Sequence, residues 1–371
     1  MPRSEFGVTE RFVYLNHAAT GVLPACTRSA LESFVQAQAE GGVIGTFPYE
    51  QRMPEFRAQL GSFIGANAGE IAFLRSTSEA ANVLALGIDW REGDEVVLCD
   101  NEFPANALPW LALRSRGVVV RFIESARERM TPEVLERTLT PRTRVVTVSW
   151  VSFADGYRHD LAALAEVAHE RGALLCVDGI QGLGVFPVDV RAAGIDAFYA
   201  GGQKWMLALQ GVAYLYVSDG LRERLTVAVP GWRAVAEMWD FLDYDQPWAA
   251  DASRFEGGTP NFLGALSLAS STEFLQRYDR SGVERHVLAL TDHLVDGLAR
   301  VGARVAAPRG EGVSSGIVTF ALPGRDSVEL GRALQREGIV TTYRANGIRV
   351  SPHGYNTIEE IDRVLELLGS A

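Results

Sequence analysis

The sequence predicts an α/β protein with a mainly parallel sheet in a large unit and a smaller α+β unit beside it. Three observations carry this. Short apolar runs recur up to Pro260, helical patterns separate several of them, and the pattern changes afterwards. Continuous apolar strands between helices are what a parallel sheet covered on both faces requires, because neither face meets water.

In chain order the strand-like runs are Ile71–Leu74, Glu95–Cys99, Val118–Ile123, Val145–Trp150, Ala173–Val177, Ala197–Ala200 and Val212–Val217. Helical patterns lie at Ser78–Ile88, Ala105–Arg116, Pro132–Leu139 and Leu161–Arg171. After Pro260 come helices at Leu263–Tyr278 and Val283–Val301, a strand at Ile317–Leu322 and a helix at Ser327–Glu337. Short strands around Val340 and Ile348 and a last helix at Ile358–Leu368 complete the chain. The expected division is a large unit over 31–275 and a smaller one built from 1–30 with 276–371.

Composition excludes several function classes. A formal net charge of -11 with scattered arginines disfavours nucleic acid and anionic membranes as partners. No run approaches the ~20 apolar residues of a membrane span. The opening Met-Pro-Arg-Ser-Glu-Phe lacks the basic start and apolar core of a signal peptide, so a cytoplasmic protein is expected. Three cysteines, Cys26, Cys99 and Cys176, fit neither a disulfide framework nor a zinc site, and no metal site is expected.

One residue stands apart: Lys204 is the only lysine in the chain. Arginine replaces lysine easily on a solvated surface. It cannot replace an amine that must lose its proton and attack a carbonyl, because guanidinium stays protonated. Lys204 follows the strand Ala197–Ala200 and the glycine pair Gly201-Gly202, which permits a sharp turn and close backbone approach to a ligand. The preceding strand, Ala173–Val177, ends in Asp178 with Gln181 three residues on. The carboxyl ends of parallel strands line the ligand crevice. A carboxylate there suits a cationic heterocycle such as the pyridinium of pyridoxal phosphate, with helix capping as the competing role. A desolvated Lys204 could form an imine with that cofactor's aldehyde. Thr77 and Ser78, between a strand and a helix, supply a phosphate site, or an ordinary capping box of Ser76 and Glu79.

Seven motifs in one order resemble the class V aminotransferase family, in its branch of cysteine desulfurases, isopenicillin-N-epimerase-like proteins and kynureninases. They are Tyr14–Thr20, Ser78–Asn82, Ser149–Gly156, Val177–Gln181, Gln203–Trp205, Phe255–Asn261 and Ile348–Asn356. The resemblance implies the fold type I pyridoxal-phosphate transferase fold, with Lys204 carrying the cofactor and moving the Cα proton. It implies Asp178 on the ring nitrogen, Gln181 on the phenolic oxygen and Phe103 stacked on the ring. Thr77, Ser78 and Gln203 would bind phosphate, Thr259 would reach the neighbouring subunit's phosphate in a homodimer, and Arg349 would clamp the substrate carboxylate. His17, in the opening motif, is a candidate substrate contact.

The sequence departs from the family pattern at Gln203 (commonly His), at Phe153 (often Asn) and at Ala208-Leu209, where the family has Gly-Pro. No cysteine follows Cys176, so a desulfurase that forms a persulfide on a C-terminal loop thiol is not expected. The expected reaction is Cα–H abstraction from a small α-amino acid, leading to transamination or β-elimination. Epimerisation and a non-catalytic scaffold are the alternatives. Arg233 and Arg344 could read a second substrate charge, Trp232 could line the pocket, and His159, His169, His286 and His293 read as surface residues.

Overall fold

The computed structural model describes residues 1–370. Strand β1 (Val13–Tyr14) and helices α1 (Ala25–Gly41), α2 (Val43–Gln51) and α3 (Met53–Ile64) come first. The alternation then runs β2 (Ile71–Leu74), α4 (Thr77–Gly87), β3 (Glu95–Cys99), α5 (Pro104–Ala112), β4 (Val119–Ile123) and α6 (Pro132–Thr138). It continues through β5 (Thr143–Ser149), α7 (Leu161–Glu170), β6 (Leu174–Asp178), β7 (Ala197–Gly201), β8 (Ala213–Val217) and the short α8 (Asp219–Arg222).

Strands β2 to β8 form one sheet in the order β2-β8-β7-β6-β5-β3-β4. It is parallel apart from β8, which runs antiparallel to both β2 and β7. Side chains alternate across a strand, so each strand feeds two cores. Val97, Val146, Val148, Leu175, Val177 and Phe198 enter one core. Val96, Leu98, Val145, Cys176 and Tyr199 enter the other. The chain steps outward from β3 to β4 and then returns to β5 on the other side of β3. Ligand crevices open beyond the carboxyl ends of strands at such a reversal. Those ends lead here to Phe103, Phe153 and Asp178.

The remaining elements are α9 (Phe262–Gln276), α10 (Arg280–Arg300), β9 (Arg304–Val305), β10 (Val318–Ala321), α11 (Ser327–Arg336), β11 (Ile339–Val340), β12 (Thr342–Arg344), β13 (Gly347–Val350) and α12 (Ile358–Ser370). A four-stranded antiparallel sheet, β12-β13-β10-β9, packs on α10 and α12. Leu290, Leu294 and Leu298, four residues apart on α10, meet Phe320, Ile348, Ile361 and Val364 in a third core. Val13 and Leu15 join that core, because β1 pairs in parallel with β11. Among the described residues no helix is long and apolar enough to cross a membrane.

Candidate active site

The segment carrying Lys204 is clamped from several sides. Gly21 N–H donates to the Gln203 carbonyl at 2.7 Å, and a Cβ on Gly21 would fall 2.0 Å from the Lys204 carbonyl oxygen. A Cβ on Gly184, at φ 104°, would fall 2.1 Å from the Trp205 carbonyl oxygen, which also accepts from His353 Nε2 at 3.0 Å. Trp205 Nε1 donates to Gln181 Oε1 at 2.8 Å. The turn closes through Leu207, the one non-glycine residue with positive φ (55°) among the described residues. The sequence comparison put the missing glycine at Ala208; the left-handed position that favours glycine is Leu207.

Lys204 is 9% exposed, and its Nζ stands 5.3 Å from the centroid of the Phe103 ring. Burial lowers its pKa to about 8; nearby Arg349 acts in the same direction, while Asp178 opposes both. Asp178, 1% exposed, ends β6. Its Oδ1 accepts Ile180 N–H at 2.9 Å, while Oδ2 is buried without a hydrogen-bond partner. Burial raises this carboxyl to about 7, with the nearby Glu102 carboxyl adding to the rise and Lys204 opposing it. A buried acceptor with no donor is costly to leave so, and a ligand N–H would satisfy it.

Phe103 caps the start of α5 and is 41% exposed, its ring edge-on to Phe153 at 5.1 Å. Arg349 on β13 donates from NH1 to the Phe153 carbonyl (3.0 Å) and from NH2 to Thr342 Oγ1 (3.4 Å). Its Nε is buried and unpartnered. Burial, then the neighbouring Arg344 charge, lowers the guanidinium to about 10, so it stays cationic at neutral pH. Thr77 and Ser78 open α4, where the first N–H groups lack intrahelical acceptors. Ser76 Oγ accepts Glu79 N–H at 3.1 Å, and Glu79 binds the backbone and guanidinium of Arg75. The capping role of Ser76 is therefore real, and it leaves the hydroxyls of Thr77 and Ser78 uncommitted to that cap. Gln181 is fixed at both ends of its amide, Nε2 donating to the Ala18 carbonyl at 3.0 Å. Its second amide N–H remains.

Two candidates lie elsewhere. His17 is fully buried, with Nδ1 on the Ser351 carbonyl (3.1 Å) and Nε2 on Tyr355 OH (3.0 Å). Packed among Trp205, His353 and Tyr355 rings, it is a structural residue behind the lysine segment, which corrects the expected substrate contact. His159 is also buried, held by the Ser149 carbonyl at 2.9 Å, and not a surface residue. Thr259 is exposed, in a groove it shares with Arg75 and Glu79. Sequence reasoning missed Glu102. It accepts from Ser149 N–H (2.7 Å), Ser149 Oγ (2.5 Å) and Asn106 Nδ2 (2.9 Å). Asn106 in turn accepts from Thr147 and Tyr199. The motif Asn101-Glu102-Phe103-Pro104 held that signal, but only its aromatic residue was read.

The profile of the family "Aminotransferase class-V" matches residues 13–364. The chain belongs to the class-V aminotransferase family. It is 30% identical to a probable cysteine desulfurase of Methanothermobacter thermautotrophicus, over 99% of this chain and 96% of that protein. It is 31% identical to an uncharacterized aminotransferase of Bacillus subtilis, over 84% of this chain and 81% of that one. The apo structure of a cysteine desulfurase from Thermococcus onnurineus superposes with TM-score 0.90 at 26% identity, covering 99% of this chain and 96% of that one. A cystine C–S lyase complexed with cysteine persulfide shares the fold, with TM-score 0.88 at 23% identity, covering 96% of this chain and 97% of that one.

For a class-V chain the question is whether these residues fit pyridoxal phosphate. The unpartnered Asp178 Oδ2 suits a protonated ring nitrogen, and Phe103 offers a face beside the only lysine amine. The first turn of α4 offers N–H groups and hydroxyls suited to a phosphate. The donor set fits the cofactor.

Proposed function

We propose that this chain is a pyridoxal-phosphate enzyme that abstracts the Cα proton of a small α-amino acid and completes β-elimination, of the C–S lyase kind, or transamination. The observation that carries the reading is the buried, partnerless Asp178 Oδ2 close enough to Lys204 for the two charges to interact. When bound, the cofactor supplies the electron sink that makes the Cα–H acidic. Asp178 holds a proton against the ring nitrogen. Lys204, with an amine poised near neutral pH, takes the Cα proton on Nζ and returns it. Arg349 orients the α-carboxylate through its remaining N–H groups, which favours Cα–H over decarboxylation. Phe103 and Phe153 flank the reacting side with apolar rings. Gln181, fixed by Trp205, directs its second N–H to the phenolic oxygen, and Thr77, Ser78 and Gln203 hold the phosphate.

The working unit in this reading is a homodimer in which Thr259 completes the neighbouring site. Support comes from apolar side chains left exposed on one chain, including Val43 and Ile44 on α2 and Leu242 and Tyr244 beyond α8. Relatives named cysteine desulfurases would suggest a persulfide on the protein. The thiols of this chain argue otherwise: Cys99 and Cys176 are buried with their pKa raised by burial, and Cys26 sits at the start of α1, also raised. We therefore place sulfur release, if sulfur is the leaving group, in solution.

Incubation with L-cysteine, L-cystine, or L-alanine plus a 2-oxo acid tests this. Pyruvate with free sulfide or persulfide, or amino-group exchange, is expected. A persulfide carried on any of the three cysteines would contradict the thiol argument, and no product from any amino acid would overturn the reading.

A further inference from the structure

We infer that the substrate carries a second acidic group and that Arg344 is the residue that reads it. The inference rests on the proposed function and names the substrate class of that site. Beside Arg349 lies a cleft of about 140 Å³ between Phe153 and the hairpin of β12 and β13. It adjoins the lysine through Phe153, which packs on Phe103 and whose carbonyl holds Arg349. Two guanidiniums, Arg344 and Arg349, line it, together with Thr319, Thr342 and Asn346 and without any Asp or Glu.

Many of the arginines pair with a neighbouring carboxylate. Arg233, the other candidate for a second substrate charge, is bound to Glu50 at 2.6 Å and lies over the Trp232 ring. Arg344 and Arg349 have no ion pair among the described residues, and each lies within reach of the other's charge. Two like charges facing a cleft with no counter-charge are unfavourable until anions arrive. Arg349, on a strand and anchored by two hydrogen bonds, is fixed for one carboxylate. Arg344 ends β12 at the hairpin tip and is exposed, so it can meet a separate group further out. The cleft, well under the ~300 Å³ of sites for larger ligands, has room for a side chain of a few heavy atoms. The chemistry is that of a short acidic amino acid, with a carboxylate or sulfinate one or two carbons from Cα.

The test is a titration of the cofactor-loaded protein, read as the change in its visible absorption. L-aspartate is compared with L-asparagine, and L-cysteine sulfinate with L-cysteine. The acidic member of each pair is expected to half-saturate at a concentration lower by about tenfold or more, as for hydrogen bonds to a charged group. Arg344→Gln, in an exposed turn, is expected to bring each ratio close to one, and Arg344→Lys to keep part of it, because charge remains without the planar fork. Equal half-saturation within both pairs would overturn this inference alone, as would a preference unchanged in Arg344→Gln. A spectrum that no amino acid perturbs would overturn the proposed function, and this inference with it.

Discussion

Lys204 is the only side-chain amine in the chain, so its protonation can be followed without interference from other lysines. Burial favours the neutral amine and brings its pKa to about 8. The amine reacts only when deprotonated. Acetylation of the cofactor-free protein by a small reagent, read on the Lys204 peptide, should therefore rise with pH through a midpoint at about 8 and level off above it. A midpoint at lysine's usual 10.5 would contradict the burial argument. Asp178→Asn keeps the shape and removes the charge. It is expected to lower kcat/KM on the order of 100-fold or more, as for loss of one partner of a buried charge pair, while the cofactor still binds. Lys204, Asp178 and Arg349 stood out as candidates in the sequence because their chemistry has few substitutes: Asp178 ends one strand, Lys204 follows another and Arg349 lies within the short strand around Ile348. His17 was misread because a motif gives order along the chain and not which way a ring faces; its two nitrogens are both spent on buried partners.

The elements hold these residues by two devices that periodicity cannot reveal. One is the left-handed turn at Leu207. A left-handed non-glycine residue costs roughly 1–2 kcal/mol, yet the Leu207 side chain is fully buried. Leu207→Gly should relieve the strain and lose the packing, a net destabilisation of about 1–3 kcal/mol by thermal or denaturant unfolding. A stabilised variant would mean that packing there is weak. The other device is Glu95, a fully buried carboxylate at the start of β3 that binds Arg121 at 2.8 Å, Thr140 at 2.7 Å and Arg142 at 3.2 Å, tying β3 to β4 and to the entry of β5. The hydrogen bonds from Arg121 outweigh desolvation and hold its pKa at about 2. A depressed carboxyl stabilises the fold above its unfolded pKa, near 4.5, and loses that contribution as pH falls through about 2. Glu95→Gln should cost about 1–3 kcal/mol at neutral pH, and the gap from wild type should close toward pH 2. Six of the seven central strands were legible because apolar runs buried on both faces leave little ambiguity about their environment; the edge strand β4, with Val119 and Phe122 exposed, was legible from its apolar residues alone. Helix α2 was not, since it holds Pro48 and leaves Val43, Ile44 and Phe47 exposed, so no inward apolar stripe marks it; α3 buries Met53, Phe56, Leu60 and Phe63 at helical spacing, a stripe the sequence reading passed over.

At the scale of the molecule, two cores on either side of one sheet and a third under the antiparallel sheet bring strand ends and the β12–β13 hairpin to one crevice. The order of motifs along the chain made this fold legible; the meeting of Phe153 with Arg344 and Arg349 needed coordinates, because Phe153 lies in a distant part of the chain. If two chains share their sites, Ile44→Asp, which places a charge on an 82%-exposed apolar position, should shift the protein from dimer to monomer by sedimentation and weaken cofactor retention. A monomeric wild-type protein would remove the role given to Thr259. The most direct test of the central claim is borohydride reduction of the protein loaded with pyridoxal phosphate, followed by peptide mass analysis. A visible absorption band that reduction abolishes, with the cofactor's mass fixed on the peptide holding Lys204, is the expected result. No band after cofactor addition, or cofactor fixed only on the N-terminal amine, would contradict the account.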